Sequence, residues 1–321
     1  MPSSRPFLAS VVQAAPMLLD TERTLKKLGD LAADAAGGGA RLAVFPEAFV
    51  GGYPKGISFG TTLGIRTPEG RDDFRRYFEG AIAVPGPATE RIGQIARENR
   101  LHLVLGVIER AGGTLYCTAL FFSPTGELLG RHRKLMPTAL ERVVWGCGDG
   151  STLPVLETPL GKLGAVICWE NYMPLLRTAM YAQGIELYCA PTVDDRDTWA
   201  PSMRHIACEG RCFVLSACQV LRRRDCPADF AGAASAEPNQ LLIRGGSCIA
   251  SPLGKLLAGP KFDDEAILTA EIDPAEIVRG KFDLDVTGHY ARPDIFRLLV
   301  NRAPQSAVDW ETRGPDTTSS G

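Results

Sequence analysis

LGAVICWENYMPLLRTAMYAQGIELYCAP, residues 163–191, decides how the rest of the chain is read. Leu163–Ile167 is an unbroken apolar run, as a strand buried on both faces presents. It stops at Cys168, and bulky Trp169 and acidic Glu170 follow at once. A helical pattern then begins. Pro174 suits a first turn, Leu175, Leu176, Ala179 and Met180 make an apolar face, and Gly184 suits the end. IELYCAP, 185–191, reads as another strand, closed by Pro191. Strand, helix and strand in one short stretch predict a sheet covered by helices.

Cys168 therefore falls in a tight turn between strand and helix. The residues alone leave two readings open: an inert buried thiol, or a nucleophile at the end of a strand. A free thiol is only about 3% ionised at pH 7. A nearby cation or helix N-terminus raises that fraction.

Outward from this unit, the same grammar recurs. FLASVVQA (7–14), RLAVFPEAF (41–49), LHLVLGVIER (101–110), LYCTALFFS (115–123), FVLSACQV (213–220) and AILTAEI (266–272) predict strands. Helical spacing covers 21–36, with Asp20 as N-cap, then 71–80, 87–100 and about 197–211. SPTGELL at 123, TPLGKLG at 158 and SPLGKLL at 251 each set Pro and Gly two apart between β-prone segments, which predicts hairpins. The sheet is therefore not purely parallel. The Gly37–Gly39 run is no phosphate loop, because no Gly-Lys-Ser/Thr follows. No linker divides residues 1–300, which read as one domain; 301–321 is polar, lacks periodicity and reads as a loose tail.

A net charge of −2, with no basic stripe interleaved with aromatics, gives no pull on nucleic acid or membrane. No apolar run reaches the roughly 18 residues of a membrane span. The N-terminus lacks signal-peptide proportions, so a cytoplasmic location is expected. Nine cysteines in a chain of this size predict reduced thiols. Cys208, Cys212, Cys218 and Cys226 lack the short paired spacing of zinc sites and read as core residues. No metal or organic cofactor is expected.

Two further strand ends carry chemistry. Lys134, in RHRKLMP, is either a surface lysine or a cation supporting a thiolate and an oxyanion. Glu47, directly after an apolar run, is either an ion-pair or capping residue or a general base tuned by partial burial. Glu141, seven residues past Lys134, looks alone like a solvated helix residue. None of the four histidines has a spacing that singles it out, although His132 stays open as an alternative base.

FPEAFVGGYPKG (45–56), HRKLMPTALERVVWGCGDGS (132–151), CWENYMPLLRTAMYAQGIELYCAPT (168–192) and VRGKFDLDVTGHYARPD (278–294) together resemble the signature blocks of the nitrilase family, a branch of the carbon–nitrogen hydrolases. The likeness spans most of 7–300, in order. It implies a four-layer α-β-β-α sandwich and a catalytic triad falling on Glu47, Lys134 and Cys168. A second glutamate that positions substrate falls on Glu141. Trp169, directly after the nucleophile, marks the nitrile-cleaving branch, and its backbone N–H is expected to join Lys134 in holding an oxyanion. The resemblance also implies homodimers or spirals of dimers, with 222–246 resembling an assembly insertion.

The expected reaction is hydrolysis of a nitrile to acid and ammonia through a thioimidate and a thioester. The pocket is expected from 53–66, from Thr192 to Trp199 and from residues near Glu141, with Tyr53 and Trp199 available to stack on an aromatic substrate. An amidase or carbamoylase, a nitrile-to-amide hydratase and a non-catalytic scaffold are the rival readings.

Overall fold

The computed structural model describes residues 5–229 and 237–308. In chain order the elements are β1 (Phe7–Gln13), α1 (Thr21–Gly37), β2 (Ala40–Val44), β3 (Thr61–Thr62), β4 (Ile65–Arg66), α2 (Pro68–Glu79), α3 (Pro87–Asn99), β5 (His102–Ala111), β6 (Thr114–Phe122) and β7 (Leu128–Arg133). There follow β8 (Val155–Thr158), β9 (Gly161–Ala165), α4 (Pro174–Ala182), β10 (Leu187–Cys189), α5 (Trp199–Gly210), β11 (Phe213–Ser216), β12 (Val220–Arg222), β13 (Leu241–Ala250), β14 (Leu256–Phe262), β15 (Ala266–Ile272) and α6 (Ala275–Gly280).

Two mixed sheets result. The first has the order β15–β1–β2–β5–β6–β7, parallel through β1, β2 and β5 and antiparallel elsewhere. The second has the order β12–β13–β11–β10–β9–β8, with β14 on β13; β9, β10 and β11 are its parallel centre.

Side-chain alternation explains why the sheets stack. On β1 and β5, Ala9, Val11, Val104 and Ile108 face inward, against Leu163, Ala165 and Ile167 from β9 and its extension. Val12, Leu103, Leu105 and Val107 face outward and bury Leu25, Leu28 and Ala32 of α1 with Ile92 and Ile95 of α3. On the far side, Val166, Tyr188 and Val214 bury Leu176 and Met180 of α4 with Met203 and Ile206 of α5. Each Val, Leu, Ile or Met side chain among these, fully buried, contributes about 1.5–3 kcal/mol. The layers are therefore helix, sheet, sheet, helix, the α-β-β-α sandwich anticipated above.

Local signals act as expected at several points. Asp20 caps α1 by accepting from the Arg23 N–H at 2.9 Å. The three Pro-Gly turns join β6 to β7, β8 to β9 and β13 to β14. Two elements end early. β2 stops at Val44, because Pro46 has no N–H and the chain arches over β5 instead. β9 stops at Ala165, and a 3-10 turn, Cys168–Tyr172, precedes α4. The helix N-terminus thus starts at Pro174, not at the thiol.

Residues 301–308 are exposed and lack regular structure, and Gln305 N–H donates to Asp149 Oδ2 at 2.8 Å. The rest of the expected tail, 309–321, lies outside the described residues, as do 230–236 of the expected insertion. The insertion's flanks form β12 and the start of β13.

Candidate active site

Past Val44 the backbone folds across Gly106 in the middle of β5. Gly106 N–H donates to Pro46 O at 3.0 Å, and Gly106 O accepts from Phe49 N–H at 2.8 Å. A Cβ on Gly106 would stand 2.3 Å from the Glu47 Cα, so only glycine permits this approach. From the second sheet, Gln219 Nε2 donates to the Glu47 carbonyl at 2.8 Å. Glu47 is thus held by β5 backbone bonds to its neighbours Pro46 and Phe49 and by the Gln219 side chain on its own carbonyl, and is fully buried.

Lys134 follows β7 directly, and its own N–H donates to Cys117 O at 2.8 Å. Its Nζ donates to Glu47 Oε1 at 3.0 Å and to Glu141 Oε2 at 2.8 Å, with no exposed surface of its own. Glu141 comes from the 3-10 turn Ala139–Val143 and accepts also from the Thr138 N–H (2.6 Å) and the Tyr53 hydroxyl (2.8 Å). Glu47 Oε2 has no hydrogen-bond partner among the described residues.

Cys168 opens the 3-10 turn with a left-handed φ of 49°. Its N–H donates to Pro191 O at 2.9 Å, and Thr192 Oγ1 donates to its sulfur at 3.2 Å. A non-glycine residue in this region is strained by about 1 kcal/mol or more and persists only where its surroundings hold it. The turn is held: Asn171 Nδ2 donates to the Cys168 carbonyl at 2.7 Å and to the Val166 carbonyl at 2.9 Å.

Burial dominates the electrostatics of the site. Burial pushes the Cys168 thiol well above its ordinary value, and the Glu47 charge adds to this; Lys134 and the Thr192 hydroxyl pull the other way without prevailing. Burial also raises Glu47, against the opposing pull of Lys134. Burial disfavours the Lys134 charge, yet Glu47 and the other acidic neighbours hold it well above the usual lysine range. Burial thus works against charge on the Cys168 thiol and on Glu47, while the acidic neighbours favour charge on Lys134. Such a set can pass a proton as a bond forms.

The thiol opens on a cleft of about 210 Å³ walled by Tyr53, Lys55, Glu141, Trp169 and Asp194. Trp169 stands at its mouth, with Nε1 donating to Asp194 Oδ2 at 2.9 Å and the Arg196 guanidinium 4.6 Å above its ring. Burial pushes the Tyr53 phenol far up, and Glu141 adds to it, so its hydroxyl stays a donor. A second chamber of about 260 Å³ shares Tyr53, Lys55 and Glu141 and is otherwise walled by Ile57, Phe59, Val144 and Trp145.

The structure brings together Glu47, Lys134, Glu141, Cys168, Trp169, Tyr53 and Thr192. It does not bring Trp199. That indole is buried in the outer layer against α4 and β10, with Nε1 donating to Ser216 Oγ at 2.8 Å. α5 turns the residue away from the cleft, so it cannot stack on a substrate there.

Sequence reasoning missed Gln219 and gave Glu170 and His132 no joint role. Gln219 was visible only as a polar break in FVLSACQV. Glu170 and His132 form a buried pair, Nε2 to Oε2 at 2.9 Å, and no local pattern links residues 38 apart. His132 Nδ1 meets Thr152 O at 2.5 Å, so both ring nitrogens are engaged. All nine cysteines are unpaired, and among the described residues no cluster of three or more His, Cys, Asp or Glu side chains suits a metal ion.

A family model described as carbon–nitrogen hydrolase matches residues 8–282. The chain is 61% identical over 302 residues to an aliphatic nitrilase of Sinorhizobium fredii, covering 94% of this chain and 98% of that protein. It is 54% identical over 323 residues to a bifunctional nitrilase/nitrile hydratase of Nicotiana tabacum, covering 99% and 93%. Among solved structures, the C. elegans NitFhit protein superposes with a TM-score of 0.74 at 19% identity, over 96% of this chain and 70% of that one. An amidase from Nesterenkonia sp. superposes with a TM-score of 0.64 at 22% identity, over 87% and 98%. At such identities the two structures speak for the fold alone.

Proposed function

The chain belongs to the carbon–nitrogen hydrolase family, and on that premise we propose that it is a nitrilase that converts an organic nitrile to the carboxylic acid and ammonia, with Cys168 as nucleophile. The observation that carries this reading is the Cys168 thiol at the head of the cleft, where Glu141 and the buried Glu47 both accept from Lys134 Nζ, at 2.8 and 3.0 Å.

The Cys168 sulfur bonds to the nitrile carbon as Glu47 takes the thiol proton. A proton passes to the nitrile nitrogen through Glu47 and Lys134, giving a thioimidate. Glu47 then deprotonates a water that adds to the same carbon. Protonation of nitrogen releases ammonia and leaves a thioester. A second water breaks the carbon–sulfur bond, frees the acid and returns the proton to sulfur. Lys134 and the Trp169 backbone N–H hold the negative oxygen, each such donor contributing about 3 kcal/mol. Two waters enter, and acid and ammonia leave.

If the tetrahedral species expels sulfur instead of ammonia, the product is the amide. Relatives that carry both activities favour this as a side reaction. The apolar chamber beside the cleft, together with the aliphatic nitrilase relative, supports an aliphatic substrate whose tail lies against Ile57, Phe59 and Val144. The reading takes 1–300 as one catalytic domain, acting in the cytoplasm as a homodimer or larger homo-oligomer.

The test is incubation with aliphatic, arylaliphatic and aromatic nitriles while following ammonia, acid and amide, beside Cys168→Ala. Acid and ammonia in equal amounts, absent from the variant, are the expected result. Turnover of amides but not nitriles would overturn the proposal in favour of an amidase.

A further inference from the structure

Glu170 and His132 lie outside the cleft, both without exposed side chain, yet they touch both loops that carry its chemistry. Glu170 Oε1 accepts the Leu135 N–H at 2.6 Å, one residue past Lys134. Its Oε2 accepts the Ile167 N–H at 2.8 Å, one residue before Cys168. A single carboxylate thus bridges the two segments, which belong to different sheets. His132 Nε2 donates to the same carboxylate at 2.9 Å, and its Nδ1 donates to the Thr152 carbonyl at 2.5 Å.

The donor inventory fixes the protons. A carbonyl only accepts, so Nδ1 bears hydrogen. A carboxylate that already receives two backbone N–H groups is arranged as an ionised acceptor, so Nε2 bears hydrogen as well. The pair is closed on both sides, with each ring nitrogen and each carboxyl oxygen engaged. Burial opposes the His132 charge, but Glu170 outweighs it and raises the imidazole from its ordinary value.

Such a pair answers a need already described. The Cys168 backbone is strained, and Asn171 holds its turn through the Val166 and Cys168 carbonyls, both within the second sheet's own segment. Nothing in that clamp sets where Lys134 stands relative to the sulfur. We infer that Glu170, anchored by His132, is a positioning residue that holds the Lys134 loop and the Cys168 turn in one fixed relation, so that proton transfer and attack occur at matched distances. This rests on the nitrilase reading. Misplacing a reacting group by about 1 Å can cost about a hundredfold in rate.

The test compares Glu170→Gln, Glu170→Asp and His132→Asn with wild type. Each protein is assayed for kcat and KM per mole of folded protein and for the alkylation rate of Cys168, followed by mass spectrometry of its peptide. Gln keeps the reach but turns an N–H₂ toward a backbone N–H. Asp keeps the charge but loses a methylene of reach. Both should lower kcat about 30- to 300-fold with KM within about threefold, and should slow alkylation of Cys168 about tenfold.

His132→Asn, which leaves one of the two acceptors without a donor, should fall between these and wild type, and carries the test if the Glu170 variants do not fold. A lower Tm with kcat per folded molecule and alkylation rate unchanged would reduce the pair to a structural role and overturn the inference. Wild-type kinetics in Glu170→Asp would also overturn it, since reach would then be dispensable. Failure of wild type to turn over nitriles would sink the nitrilase reading instead, and the alkylation rates would still decide the positioning role.

Discussion

Glu47 and Glu109 are both buried carboxylates beside the first sheet, and their neighbours treat them differently. Glu109, on β5, receives Arg131 Nη1 and Arg133 Nη2 on one oxygen (2.7 and 2.6 Å) and Arg133 Nε and the Thr118 hydroxyl on the other (3.0 and 2.9 Å). Glu47 has Lys134 at 3.0 Å and the weak Cys117 thiol at 3.8 Å on one oxygen, and no partner on the other. A saturated carboxylate has no lone pair to offer and serves as a strut between strands. An unsaturated one beside a thiol has somewhere to put a proton. The lesson is that burial alone does not mark a base; unspent hydrogen-bonding capacity does.

The largest effect should come from isosteric loss of charge at the two sites. Glu47→Gln should lower kcat about a thousandfold or more while the protein stays folded, because no base then takes the thiol proton. Glu109→Gln should do the reverse, costing about 2–3 kcal/mol in a denaturant titration, since its arginines are partly exposed, with kcat per folded molecule within about threefold. Equal loss of activity in both variants would break the comparison.

Gly106→Ala tests whether Glu47 is held by its backbone. The added methyl would displace the 45–50 arch, so kcat should fall about a hundredfold even though Glu47 itself is intact. Activity within a few-fold of wild type would show that the arch tolerates movement.

The pH profile sharpens the point. Glu47 must be ionised to accept a proton, and burial raises its pKa. The acid limb of kcat/KM should therefore fall about tenfold per pH unit from above the usual carboxylate range, and Glu47→Gln should flatten it. A limb within the ordinary carboxylate range would mean that the base is a different group. The smallest effect is expected for Tyr53→Phe, which removes one of the donors on Glu141 and should lower kcat about three- to tenfold, measured on the best nitrile found.

The strands were legible because their buried faces alternate or run apolar and their ends carry Pro and Gly, as in SPTGELL and TPLGKLG. Glu47, Lys134 and Cys168 were legible as strand ends. Only the resemblance joined them, since nothing in 87 residues of spacing states that Lys134 meets Glu47. Glu109 was hidden because VIER reads as any strand leaving the core. Glu170 was read only as an acidic residue after the thiol, and His132 as a possible base, because their contact arises where two sheets meet. Trp199 misled for the opposite reason: an aromatic near the site in sequence was turned outward by the helix it begins.

The pairing of β1 with β15 has a consequence for how the molecule is made. All seven residues of β1 pair with β15, so the outer edge of the first strand is closed by one of the last. At about 5–20 residues per second, the roughly 250 residues between them take about 12–50 s to emerge from a ribosome. Throughout that time the nascent chain presents an apolar strand with open N–H and C=O groups, a template for pairing with a neighbouring chain. A polypeptide terminated before Ala266 keeps that edge permanently. Premature termination therefore leaves the edge of residues 7–13 open to pairing with another chain.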